Sequence, residues 1–157
     1  MESGPGATKV TALAAVAERM GFSTYRPDDV GIHDPIVRLD RLLPKIDAAQ
    51  GRVILMGSSL GAWVSGLASL EREVAGLFLL APPVRLPGVD ARLALRAPRI
   101  AIVHGWRDEL IAPEEVFELA RETRATLHLY DADHRLSTVV PTIERDFEDF
   151  LSAWKAA

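Results

Sequence analysis

Val53-Ile54-Leu55-Met56-Gly57-Ser58-Ser59-Leu60-Gly61 is the stretch on which the reading of this chain turns. Its first four residues are large and apolar with no polar alternation, as expected of a strand buried on both faces. Leu60, Trp63, Val64, Leu67 and Leu70 then recur at intervals of three and four, the stripe of a helix. Between the two lies a G-x-S-x-G pentapeptide, Gly57 to Gly61. A serine on a tight turn from strand into helix holds its hydroxyl clear of the sheet, so Ser59 is a candidate nucleophile. Gly57 and Gly61 read as positions where a side chain would crowd the approach of helix to strand. The new helix points free N–H groups back at the turn, which makes the Leu60 N–H a candidate oxyanion donor.

Outward from this turn, strands and helices alternate. Thr8 to Met20 has helical periodicity and is stopped by Gly21; Phe22 to Tyr25 reads as a short strand ended by Arg26-Pro27. Ile36, Leu39, Leu43 and Ile46 mark a second helix, with Pro44 predicting a kink or break inside it. Val74–Leu80, Arg99–Val103 and Thr126–Tyr130 read as strands. Pro113 opens one further helix, and Thr142–Trp154 forms the last. Residues 81–98 read as a long connection with a short helix over Val89–Leu95. The expectation is one α/β domain over residues 1–157, a three-layer sandwich with a mostly parallel central sheet between helices.

Composition narrows the function classes. A chain of 157 residues, 48% hydrophobic and 25% charged, has the balance of a globular domain. A net charge of -4 supplies no electrostatic case for nucleic acid. Cysteine is absent, which removes disulfides, thiolate catalysis and Cys-based zinc sites and fits a reducing compartment. No apolar run reaches the ~20 residues of a bilayer span, and Met1-Glu2-Ser3-Gly4-Pro5-Gly6 lacks the basic and apolar regions of a signal peptide. A cytoplasmic protein with no membrane partner is expected.

In a parallel sheet, function gathers at the carboxyl ends of the strands. Three such ends carry chemistry. The first delivers Ser59; the strand at 99–103 runs into His104-Gly105-Trp106-Arg107-Asp108-Glu109; the strand at 126–130 runs into Asp131-Ala132-Asp133-His134-Arg135. A serine hydroxyl needs a base within hydrogen-bond reach, and His134 can take its proton and return it to a leaving group. Asp108 can fix the imidazole tautomer and stabilise the imidazolium. Glu109 is the rival acid. Asp131 and Asp133 read as loop caps or as groups acting on His134. His104 reads as a structural loop residue, and His33 and His128 have no supporting pattern. No metal site is called for, since the serine turn accounts for the same residues. Trp63, Trp106 and Pro83 are candidates to wall a substrate pocket, with helix packing as the plain alternative for Trp63. Arg85, Arg92 and Arg96 read as solvating a loop, the alternative being an anionic substrate.

On these residues the chain resembles the α/β-hydrolase superfamily, and within it the small capless bacterial members of esterase type. The resemblance rests on the Gly57–Gly61 elbow, on His104-Gly105-Trp106-Arg107-Asp108 matching a His-Gly-x-x-Asp phrase, and on Asp133-His134. It implies a minimal α/β-hydrolase fold. It further implies a strand ending in His-Gly, set between the strands at 22–25 and 53–56, which this sequence does not contain. The residues Met1 and Glu2 are then the expected source of the second oxyanion donor, and edges left unpaired would favour a homodimer. The implied activity is hydrolysis of a small ester or thioester through Ser59, His134 and Asp108 and an acyl-enzyme, without a cofactor. The alternative is a catalytically impaired, hydrolase-like binding protein. A nucleotide-binding reading finds no G-x-G-x-x-G and no G-x-x-x-x-G-K-[ST].

Overall fold

The computed structural model describes residues 8–155. In chain order the elements are α1 (Thr8–Arg19), α2 (Pro35–Ala48), β1 (Ile54–Ser58), α3 (Leu60–Glu71), β2 (Gly76–Leu80), β3 (Arg99–Gly105), α4 (Pro113–Thr123), β4 (Thr126–Tyr130) and α5 (Val140–Lys155). A single turn of 3-10 helix, Ser137–Val139, leads into α5. Among the described residues, four strands form one sheet in the order β1-β2-β3-β4, every adjacent pair parallel. The three-layer architecture expected from the alternation is present.

Strand side chains alternate between two cores. Leu55, Leu77, Leu79, Ile100 and Ile102 join the cluster under α2, α3 and α4. Phe78, Leu80, Ala101 and Val103 point the other way, into a cluster with α1 and α5. On that side Phe78 meets Phe147 and Phe150 at centroid separations of 4.8 and 5.3 Å. With both faces covered, β2 is buried along its whole length, which is why its sequence shows no alternation.

The structure corrects three local expectations. Pro44 does not split α2 into two elements: the helix runs from Pro35 to Ala48 with Pro44 inside it. Asp34 caps its start, accepting from the Ile36 N–H at 2.8 Å, and Pro35 occupies the first turn, where a missing N–H costs nothing. No helix forms over Val89–Leu95. The backbone there is bonded elsewhere, Leu93 N–H to Val84 C=O at 2.8 Å and Arg96 N–H to the Ser69 hydroxyl at 3.0 Å.

Phe22–Tyr25 is not a strand either. A strand needs a ladder partner, and among the described residues none lies beside β1 on its outer side. The bonds Ser59 N–H to Leu80 C=O and Ala75 N–H to Val53 C=O show which residues of β1 face β2. By alternation, the backbones of Ile54, Met56 and Ser58 face the outer edge. There a cavity of ≈ 270 Å³ separates β1 from the Phe22–Pro27 segment, which forms its opposite wall.

Candidate active site

β1 ends where α3 begins, and the chain reverses through Ser59. Its backbone sits at φ 55°, ψ -117°, a conformation that costs a non-glycine residue about 1–3 kcal/mol. The surroundings hold it there. Its N–H donates to Leu80 C=O at 2.9 Å, and its C=O accepts from Ala62 and Trp63 N–H at 2.9 and 3.2 Å. Side-chain-free Gly57 lets α3 come this close: a Cβ at that position would lie 2.3 Å from the Gly61 carbonyl oxygen. Gly61 itself is a correction, because a Cβ there meets nothing within 4 Å. The crowding is one-sided, since Gly61 borders the cavity beside β1.

This asymmetry is testable by thermal denaturation. Gly57→Ala is expected to destabilise the fold by about 1–3 kcal/mol, because the clash is with backbone that has no freedom to yield. Gly61→Ala is expected to leave the midpoint unchanged or raise it, since alanine is favoured over glycine inside a helix by roughly 0.5–1 kcal/mol.

The acid and the base arrive from the ends of β3 and β4. Their loops are locked together by backbone bonds, Trp106 N–H to Tyr130 C=O at 2.8 Å and Arg107 N–H to Ala132 C=O at 3.0 Å. Gly105 permits that approach, for its Cβ would fall 2.2 Å from the Ala132 carbonyl oxygen. The result is a continuous relay. His134 Nε2 lies 3.1 Å from Ser59 Oγ, and His134 Nδ1 lies 2.7 Å from Asp108 Oδ2. Asp108 Oδ1 accepts from the N–H groups of Leu110 and Ile111, both at 2.9 Å. A carboxylate only accepts, so His134 carries its proton on Nδ1 and turns the Nε2 lone pair to the serine hydroxyl. The Asp108 side chain is fully buried and the His134 side chain is 21% exposed, so the acid is shielded while the base reaches the surface.

The other sequence candidates fall away from this relay. Glu109 is exposed and next to, not in, the acid position. Asp133 accepts from the Arg135 N–H at 3.1 Å, a loop cap, and Asp131 pairs with Arg107 at 2.7 Å on the surface. Arg92 pairs with Glu122 at 3.2 Å, and Arg85 and Arg96 are exposed, in line with solvation. His33 is exposed, and His128 stands 3.7 Å from Asp146 at the far edge of the sheet. Trp63 is corrected from pocket wall to core: it is 2% exposed within the α2–α3–α4 cluster. Pro83 is likewise buried, whereas Trp106 stands 57% exposed on the acid loop. The cavity beside β1 touches Gly57, Ser58 and Gly61 but none of the three relay residues.

For the oxyanion, the Leu60 N–H belongs to the first turn of α3 and has no acceptor within the helix. Met1 and Glu2 lie outside the described residues. One residue escaped the sequence reading. Lys9, in the first turn of α1, is held below the usual lysine range by burial, and it feels the charges of Asp133, Arg135 and Asp108. Nothing in its local pattern separates it from an ordinary solvated helix lysine; only the packing brings it under the influence of the acid and of the residues that flank the base.

A strained serine turn and an ordered Ser-His-Asp relay, both at the carboxyl edge of a parallel sheet, define a serine-hydrolase type of site. The model of the alpha/beta hydrolase family matches residues 6–156, and the chain belongs to that family. Among solved structures it is similar to a protein from Xanthomonas campestris pv. campestris assigned to the hydrolases of the alpha/beta superfamily. The two are 41% identical with a TM-score of 0.93, over 97% of this chain and 94% of that one. Two more distant likenesses bear on the fold. Est1E from Butyrivibrio proteoclasticus matches at 18% identity and TM-score 0.82, over 100% of this chain and 86% of that one. A lidless a/b serine hydrolase from Xanthomonas campestris matches at 20% identity and TM-score 0.76, over 98% and 77%. A search of curated proteins returned no match. No helix among the described residues is long and apolar enough to cross a membrane.

Proposed function

We propose that this chain is a single-domain hydrolase of small ester or thioester substrates, with Ser59 as nucleophile, His134 as base and then acid, and Asp108 as the group that orients His134. The observation that carries the reading is the unbroken run of contacts at 3.1 and 2.7 Å from Ser59 Oγ through His134 to Asp108. Ser59 Oγ attacks the carbonyl carbon as its proton passes to His134 Nε2. The Leu60 N–H faces the oxygen that becomes negative. The tetrahedral species collapses by breaking the bond to the alcohol or thiol, which leaves with the proton from His134. Water then repeats the sequence on the acyl-enzyme, His134 taking its proton, and releases the carboxylic acid and free Ser59.

The exposed edge of His134 supports short or solvent-accessible acyl groups. We place the protein in the cytoplasm on the strength of its cysteine-free composition. The test is hydrolysis of p-nitrophenyl acetate together with covalent labelling by a fluorophosphonate. A single phosphonyl adduct on the peptide carrying Ser59, with turnover of the ester, is the expected result. Neither adduct nor turnover would leave a hydrolase-like binding protein as the better description.

A further inference from the structure

His104 is the last-but-one residue of β3 and is completely buried. Its Nε2 lies 3.0 Å from the Ile111 carbonyl oxygen and 3.5 Å from Asp108 Oδ2. Both neighbours only accept, so Nε2 carries the proton. Its Nδ1 is buried with no hydrogen-bond partner among the described residues. An imidazolium would place a second, unpaired N–H there, and burial accordingly pushes His104 below the usual histidine range. The two charged or titratable groups that act on it are Asp108 and His134.

The contacts close a ring around the acid. Asp108 Oδ1 grips the N–H of Ile111 at 2.9 Å, while His104 grips the carbonyl of the same residue. The Asp108 N–H in turn donates to Gly105 C=O at 3.2 Å. Carboxylate rotation is thereby restricted, and Oδ2 is left for His134. Neutrality matters as much as position. A cation at this distance from Oδ2 would compete with the His134 imidazolium for the charge that stabilises it.

We propose that His104 is a positioning residue of the relay: as an Nε2–H donor, it pins the Asp108–Ile111 turn so that Oδ2 of Asp108 meets His134. This rests on the reading of Ser59, His134 and Asp108 as the catalytic set.

Two substitutions and one spectroscopic measurement test it. His104→Leu removes the donor at similar size; His104→Gln retains a neutral N–H donor. The expected result is a kcat loss of up to about 100-fold for His104→Leu on p-nitrophenyl acetate with KM little changed, most of it restored in His104→Gln. The downfield proton resonance of His134 Nδ1–H is expected to shift or broaden in His104→Leu and to return in His104→Gln. A purely structural role would lower thermal stability in both and leave that resonance alone, which overturns the proposal. So would a His104→Leu protein within about two-fold of the parent kcat. Nitrogen-15 NMR of the unsubstituted protein is independent of folding of the variants and of turnover. It should show His104 as the neutral Nε2–H tautomer down to the acid limit of the fold; an Nδ1–H tautomer or an imidazolium sinks the idea. Absence of esterase activity with an intact His134–Asp108 resonance that responds to His104 would instead count against the hydrolase reading alone.

Discussion

Ser59→Ala is expected to lower kcat for p-nitrophenyl acetate by about a million-fold, with no cost to thermal stability. The size follows from what is removed. The hydroxyl is the group that attacks, and among the described residues the side chain hydrogen-bonded to His134 Nε2 is that of Ser59, through Oγ at 3.1 Å. The stability expectation follows from the backbone. The bonds that hold the elbow, to Leu80, Ala62 and Trp63, are all main-chain and survive the substitution. Steady-state kinetics beside a melting curve checks both halves. Activity retained in a folded Ser59→Ala protein would mean that catalysis uses another residue.

Asp108→Asn is expected to cost about ten-thousand-fold in kcat near neutral pH. The reason lies in the other oxygen of the carboxylate. Leu110 and Ile111 present two N–H groups to Oδ1 at 2.9 Å, so the amide oxygen must take that side. The amide NH₂ then faces His134 Nδ1 and can only donate. His134 is driven to the Nε2–H tautomer, with its proton aimed at Ser59 Oγ, and cannot act as a base. Asp108→Ala has a different signature. It leaves the buried Ile111 N–H without an acceptor, at about 1–3 kcal/mol, and strands the partly buried Leu110 N–H as well, so it should lower the melting midpoint well below that of Asp108→Asn. Equal activity of the asparagine protein and the parent would rule out Asp108 as the orienting acid.

The legible parts of this protein were those with local causes. β4 falls on Thr126–Tyr130 as expected, and α4 opens at Pro113. A buried parallel strand is recognisable because both faces demand apolar residues, and a helix start because proline and acidic side chains favour it. The misreadings have non-local causes. Phe22–Tyr25 has strand-like residues, but strand formation depends on a partner, and β1 offers its outer edge across a cavity. Gly61 looks equivalent to Gly57 in the pentapeptide, yet only Gly57 has backbone within 2.3 Å of where a Cβ would stand. Trp63, one turn beyond the nucleophile, faces the core because α3 turns that side toward the sheet.

Residue type and chain order alone named Ser59, Asp108 and His134, because a strand end can supply chemistry only through the few residues that follow it. What no sequence pattern could supply was their mutual distance. That depends on how close two loops and one helix can approach, which is decided by Gly105 against Ala132 and Gly57 against Gly61. The role of His104 was hidden for the same reason. Its neighbour in the chain, Gly105, marks a turn; its neighbours in space, Ile111 and Asp108, exist as partners only once the acid loop has folded back over the end of β3.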